Sequence, residues 1–123
     1  MRGMPSAIER LQQCSRSEVV MPQPVVAEVE FGLALLPRGK RKTLLSQRWS
    51  VLSAELLRVA WTDSVSEAFA RIKTALHRKG ELVEDFDVAI AAHALAWDLC
   101  LVSNNTRHMA RIRGLRLEDW TDA

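Results

Sequence analysis

The segment ELVEDFDVAIAAHALAWDL, residues 81–99, constrains the fold more than any other part of the chain. Three carboxylates stand at its start: Glu84, Asp85 and Asp87. From residue 88 to residue 97 the only polar side chain is His93. A helix that is apolar all round is normally buried, and an unpaired carboxylate is costly to bury. The segment therefore predicts a core helix whose acidic first turn either caps the helix or binds a ligand.

Length and composition indicate an ordinary globular protein, with 123 residues, 48% apolar and 26% charged. We predict a single domain over residues 1–123. No apolar run approaches the roughly 20 residues that span a bilayer, and no signal-peptide pattern opens the chain. We therefore expect no membrane association and a cytoplasmic location. Cys14 and Cys100 match no metal-binding spacing, which predicts two reduced core thiols.

Helical and strand-like segments alternate along the chain. Helices are expected over residues 5–13, 24–36, 40–57, 65–80 and 84–97, with Asp63 or Ser64 as the cap of the fourth. Short apolar segments within residues 17–23, 58–61, 99–103 and 115–120 predict strands. This alternation favours an α/β fold with a mainly parallel sheet.

Two glutamates are the only charges of the second predicted helix. Glu28 and Glu30 are two positions apart, which is about 200° of helical rotation, so they cannot share a face. Glu28 lies on the stripe of Phe31 and Leu35, and we predict that it points inward. The alternative is a partly exposed glutamate of no special role.

Asp87 and the segment LVSNNT, residues 101–106, complete the candidate site. Asp87 shares a helical face with Ile90 and Ala94, so we predict that it lies on the core side of the helix. The alternative is that Asp85 or Asp87 only caps the helix N-terminus. Ser103, Asn104 and Asn105 follow a predicted strand, where α/β sheets bind ligands, or form a plain turn. Oxygen donors of this kind suit Mg²⁺.

Cations cluster in two tracts, residues 38–42 and 107–116. Such tracts favour a polyanionic partner such as RNA, and solvated surface charge is the alternative.

The segments VVAEVEFGLALLPRGKRK and GELVEDFDVAIAAHALAWDLCLVSNNTRHMARIRGLRLEDW resemble the PIN-domain toxins of the VapC type. These are the ribonuclease halves of type II toxin–antitoxin modules, and the resemblance extends from about Val19 to Trp120. It implies a PIN-like three-layer α/β/α fold with a mainly parallel sheet. It also implies a Mg²⁺- or Mn²⁺-dependent endoribonuclease, in which acids hold a cation that activates water toward a phosphodiester.

The resemblance assigns the metal-binding and catalytic roles to three residues: Glu28, Asp87 and Asn105. Ser103 stands where the family usually has threonine. It implies contacts with RNA or the antitoxin for Ser103, Arg107, Arg111 and Arg113. The expected partners are an RNA substrate, a VapB-like antitoxin and a second copy of the chain.

The chain departs from this family at its N-terminus. The family opens with a strand that ends in a metal-binding aspartate, and no such strand precedes MRGMPSAIERLQQ. We expect either a start upstream of Met1 or a decayed toxin without this strand, and we favour the former. The alternative functions are a catalytically inactive PIN-like module that binds antitoxin or itself, and a small helical nucleic-acid binder that uses the basic tracts.

Overall fold

The computed structural model describes residues 19–102 and 106–118 of the chain. The chain divides into two compact units, residues 1–58 and residues 59–123. The helices of the described residues are α1 (Gln23–Leu35), α2 (Lys40–Glu55), α3 (Asp63–Arg78), α4 (Asp85–Ala96) and α5 (Thr106–Met109). The strands are β1 (Val20–Pro22), β2 (Leu57–Val59), β3 (Cys100–Val102) and β4 (Arg116–Glu118).

Helices α1 and α2 build the first unit. Pro24 lies in the first turn of α1, where its fixed φ suits a helix. The N–H that proline lacks would make no intrahelical hydrogen bond at this position. The helix ends at Leu35. Pro37 explains this end, because a proline disfavours helical backbone in the residue that precedes it, here Leu36. The core of this unit consists of Met21, Leu33, Leu45, Trp49, Leu52 and Leu56. Strands β1 and β2 pair in a two-stranded sheet.

Helices α3 and α4 pack against each other in the second unit. Helix α3 is amphipathic and buries Val65, Ala68, Ile72 and Leu76. It ends at a turn in which Gly80 adopts a φ of 69°, a left-handed conformation that glycine reaches without a Cβ penalty. Helix α4 is buried continuously from Val88 to Ala94, as its apolar sequence predicts. Strands β3 and β4 are parallel, with Leu101 opposite Leu117.

The structure confirms the predicted alternation of helices and strands in the described residues and corrects three details. The cap of α3 is Thr62, whose hydroxyl accepts from the Val65 N–H at 3.4 Å, and not Asp63 or Ser64. Strand β2 ends at Val59 and does not reach Trp61.

Cys100 is the third correction, because its side chain is exposed rather than part of the core. It occupies an end of β3 where the side chains alternate exposed, buried, exposed. Cys14, the predicted helix over residues 5–13 and the N-terminal departure lie outside the described residues. No helix among the described residues is long and apolar enough to span a membrane.

Candidate functional site

Glu28 lies on α1 in the first unit and is half-buried, and its Oε1 atom is buried. Its neighbour two positions along, Glu30, is exposed and accepts a 2.9 Å hydrogen bond from Trp49 Nε1. The two glutamates therefore have different surroundings, and Glu28 is the one that faces the interior. The stripe on which this orientation was predicted is not the buried face, however, because Phe31 and Leu35 are each 64% exposed.

Asp85 and Asp87 lie in the first turn of α4 and also differ from each other. The carboxylate of Asp85 pairs with Lys73 Nζ on α3 at 2.9 Å, and its side chain is 63% exposed. Asp87 is half-buried and precedes Val88, which has no exposed surface. The N-cap position belongs to Glu84, whose side chain makes no capping hydrogen bond. Both aspartates therefore lie inside the first turn, where the helix dipole stabilises a carboxylate.

His93 lies six positions after Asp87 on α4 and has no exposed surface. Its Nδ1 atom is 2.7 Å from the Ala89 carbonyl oxygen, and its ring meets Trp61 edge to face at 5.2 Å. These contacts give His93 a packing role. The side chain of His108 lies outside the described residues.

The remaining predicted contact residues lie near the C-terminal end of the second unit. Arg107, on α5, is exposed, as are Arg111 and Arg113 in the turn that follows. Arg111 donates a 3.4 Å hydrogen bond to the Leu82 carbonyl oxygen, which draws it toward the segment that precedes α4. Asn105 and Ser103 lie outside the described residues.

The structure thus places Glu28 in the first unit and Asp87 in the second. Within residues 19–102 and 106–118, no group of three or more His, Cys, Asp or Glu side chains is arranged to hold a metal ion. The candidate donors are carboxylate oxygens, which suit a hard cation such as Mg²⁺ or Mn²⁺ better than a soft one.

Sequence reasoning missed two partners of the acidic residues, Lys73 and Trp49. Lys73 is twelve positions before Asp85, and Trp49 is nineteen positions after Glu30, so neither pair has a local signal in the sequence. These contacts depend on the packing of α3 on α4 and of α1 on α2.

Comparison with known proteins decides the family. The sequence matches the PIN domain family over residues 3–115. The chain belongs to the PIN domain family. Its similarity to the ribonuclease VapC2 of Rickettsia felis is 28% identity over 96 residues, which cover 78% of this chain and 69% of that protein. It is 36% identical over 86 residues to the tRNA(fMet)-specific endonuclease VapC of Salmonella typhimurium, covering 67% of this chain and 65% of that protein.

The three-dimensional comparison agrees with the sequence match. The structure of DNA-bound VapBC from Salmonella typhimurium contains a chain with a TM-score of 0.75 and 28% identity. The match covers 91% of this chain and 82% of the chain in the VapBC structure. The predicted PIN-like fold is therefore confirmed. The PIN chain spans about two thirds of the length of the two curated relatives.

Proposed function

We propose that this PIN chain is the toxin component of a toxin–antitoxin module and acts as a divalent-cation-dependent endoribonuclease on RNA phosphodiester bonds. The names of its relatives, a VapC ribonuclease and a tRNA-specific VapC endonuclease, support the reaction class. The VapBC structure supports a VapB-like antitoxin as its partner. A homodimer remains a prediction from the family resemblance, and a cytoplasmic location remains a prediction from the sequence pattern.

The contrast between Asp87 and Asp85 is the observation that carries this proposal. Asp85 pairs with Lys73 and is 63% exposed, whereas Asp87 is half-buried at the start of a helix whose next seven residues are buried. A carboxylate on such a helix is held rigidly, because the packed side chains behind it prevent rotation or sliding of the helix. A rigid carboxylate is what a metal ligand requires.

The donor chemistry fits a hard divalent cation, although the described residues contain only part of the set. Glu28 and Asp87 would hold the ion, with Asn105 as a further oxygen donor. When bound, such an ion lowers the pKa of water and stabilises charge on phosphoryl oxygens. We favour Mg²⁺, with Mn²⁺ as the closest substitute in geometry and ligand preference.

The cationic side chains of the second unit would hold the polyanion. Arg107, Arg111 and Arg113 are exposed and can pair with RNA phosphates or with the carboxylates of an antitoxin. Ser103 would add a hydroxyl contact. No covalent enzyme intermediate is needed for this reaction.

The test compares Asp87→Asn and Glu28→Gln with the wild-type chain in RNA cleavage at graded Mg²⁺ concentration. We expect each variant to lose at least about 100-fold in cleavage rate, as typical of removing a group that stabilises transition-state charge. A second measurement follows the thermal unfolding midpoint. Mg²⁺ should raise this midpoint in the wild type, because a ligand that binds only the folded state stabilises it, and should not raise it in Asp87→Asn.

Asp85→Asn is the matched control, since it makes the same chemical change two positions away. This variant should cleave normally and lose less than about 1 kcal/mol of stability, as expected for an exposed ion pair. Equal activity of Asp87→Asn and the wild type would contradict the assignment of Asp87. Retained antitoxin binding with no cleavage by the wild-type chain would favour the catalytically inactive module instead.

A further inference from the structure

A polar groove extends along α2 in the first unit, away from the residues assigned to the metal site. It consists of two adjoining cavities of about 510 and 590 Å³, which share Lys42, Ser46 and Ser50 in their walls. The first cavity extends to Arg58 and the second to Arg38. We call this surface the serine groove; it is lined by Arg38, Lys42, Ser46, Ser50, Ser53 and Arg58.

Cations stand at both ends of the serine groove. The Arg58 guanidinium donates from Nη2 to Ser53 Oγ at 2.6 Å, and Lys42 Nζ donates to the Ala34 carbonyl oxygen at 3.4 Å. Both side chains are therefore held against the walls of the groove. Arg38 at the outer end is exposed and has no ion pair with any described residue. Lys42 and Ser53 are eleven residues apart on one helix, a distance of about 16 Å.

Hydroxyl groups line the surface between these cations. Ser46, Ser50 and Ser53 follow one another at spacings of four and three residues, which places them on one face of α2. Serine hydroxyls together with lysine and arginine are the side chains that contact phosphate and sugar in nucleic-acid complexes. Grooves that bind a single strand combine such contacts in a positively charged track along the backbone.

The lining suits a nucleic-acid backbone better than a peptide helix. A helix that docks in a groove needs apolar pockets for its anchoring side chains. The apolar floor of the serine groove is closed, because Trp49 is only 3% exposed and Leu33 only 6% exposed. The accessible lining includes Ala34 and Ala54, and its charged side chains are three cations, Arg38, Lys42 and Arg58, against one carboxylate, Glu30. This excess of positive charge favours an occupant with anionic oxygens.

We propose that the serine groove binds the phosphodiester backbone of single-stranded RNA, as a second contact surface for the substrate. The inference deepens the proposed ribonuclease function, on which its biological meaning rests. It also gives a role to Arg38 and Lys42 of the basic tract at residues 38–42, to which the metal site assigns none.

Glu30 is an acid in this lining, so removing its charge should change RNA affinity in the opposite direction from removing a cation. Its Oε1 atom accepts from Trp49 Nε1, which an amide oxygen can also do. Glu30→Gln should therefore keep the local fold, remove a repulsive charge and increase RNA affinity.

The experiment measures binding of the full chain to a short unstructured fluorescent RNA by anisotropy, in EDTA so that no divalent cation supports cleavage. The groove variant carries Lys42→Gln and Arg58→Gln. The control variant carries Arg41→Gln and Arg48→Gln, the same loss of charge at residues of α2 outside both cavities. The groove variant should bind at least about tenfold more weakly, and its salt slope should fall by about 1.4, since each phosphate contact on a single strand contributes about 0.7.

A second measurement needs no variant, because acetylation of the wild-type chain reports on Lys42 directly. RNA should protect Lys42 from an amine-reactive reagent and leave Lys40 reactive. Unfolding midpoints of all variants identify any loss of binding that comes from loss of fold.

Three results would overturn the proposal: equal weakening in the groove and control variants, no RNA binding by the wild type, or a polyglutamate peptide that competes equally with RNA. Failure of the ribonuclease proposal is distinguishable. Binding through the groove without cleavage in Mg²⁺ would refute the catalytic assignment alone, and cleavage without protection of Lys42 would refute the groove alone.

Discussion

At the scale of single residues, His93 shows how a polar group is accommodated in the apolar helix α4. Its Nδ1 atom lies 2.7 Å from the Ala89 carbonyl oxygen, which identifies Nδ1 as the protonated nitrogen when the ring is neutral. Its Nε2 atom is buried and has no hydrogen-bond partner among the described residues. A buried acceptor without a partner costs about 1–3 kcal/mol, so His93 contributes to stability through its shape rather than through its nitrogens.

We therefore expect His93→Leu to change the free energy of unfolding by no more than about 1 kcal/mol, since the apolar replacement removes the unsatisfied nitrogen and keeps most of the volume. His93→Ala should lose about 3 kcal/mol because it leaves a cavity. Urea unfolding of the full chain measures both values. A leucine variant as unstable as the alanine variant would show that the imidazole nitrogens are needed.

The sequence indicates candidate site residues but not the side chains that contact them. Helical spacing was sufficient to place Glu28 and Glu30 on different faces, because the rotation per residue is fixed. It did not identify the buried face, since Phe31 and Leu35 on the stripe of Glu28 are exposed. It could not separate Asp85 from Asp87, since the exposure of each depends on how α4 packs against its neighbours. Whether Asn105 completes the set stays a prediction, because it lies outside the described residues.

At the scale of elements, the start of α2 is electrostatically unfavourable. Its first turn carries Lys40, Arg41 and Lys42 and no acid, and its N-cap is Gly39, which has no side chain to cap with. Cations at a helix N-terminus oppose the dipole and leave free N–H groups without an anion. A local rule broken in this way commonly marks a functional surface.

Lys40→Glu should therefore stabilise the chain by about 1 kcal/mol, because it replaces an unfavourable charge at the dipole with a favourable one. Arg78→Glu is the matched control with the opposite expected effect. Arg78 lies in the last turn of α3, where a cation is favourable, so this variant should lower stability by a similar amount. Thermal or urea unfolding at low salt measures both. Changes of the same sign in the two variants would rule out the dipole as the cause.

Element types could be predicted because periodicity and proline positions act within a few residues. The ends were less predictable, as Thr62 shows. Its hydroxyl caps α3, although Asp63 and Ser64 are equally good capping residues by type. Which of three adjacent polar residues becomes the cap depends on where the preceding chain leaves the short strand β2.

At the scale of the whole molecule, many large apolar side chains of the described residues are exposed. Leu82 is 90% exposed, Leu57 72% and Val51 65%. Apolar side chains exposed to this extent are available to pack against a second copy, and soluble oligomers are most often symmetric dimers. The sequence predicts a dimer through family resemblance alone.

We expect the chain to sediment with twice its mass of 13.9 kDa at micromolar concentration. Because apolar association is less sensitive to salt than association through charge, the dimer should persist when salt is raised. Sedimentation equilibrium over a dilution series measures this. A monomer at all concentrations would contradict the prediction, and a dimer that dissociates in salt would contradict the apolar origin.

The fold family could be predicted because it depends on the order of motifs along the chain, whereas the completeness of the metal site could not. That order is visible in the sequence and matches the family over residues 3–115. A metal site depends on side chains that come together from distant segments, and no local pattern fixes their distances.

The buried run of α4 also determines how this protein tolerates genetic change. Four of its seven buried residues are alanines: Ala89, Ala91, Ala92 and Ala94. A single base change converts an alanine codon into valine, glycine, threonine, serine, proline, aspartate or glutamate, each of which differs in size, polarity or helix propensity. If the chain is toxic as proposed, inactivating point mutations selected for cell survival should therefore accumulate in these codons as well as at the proposed metal ligands, Glu28 and Asp87.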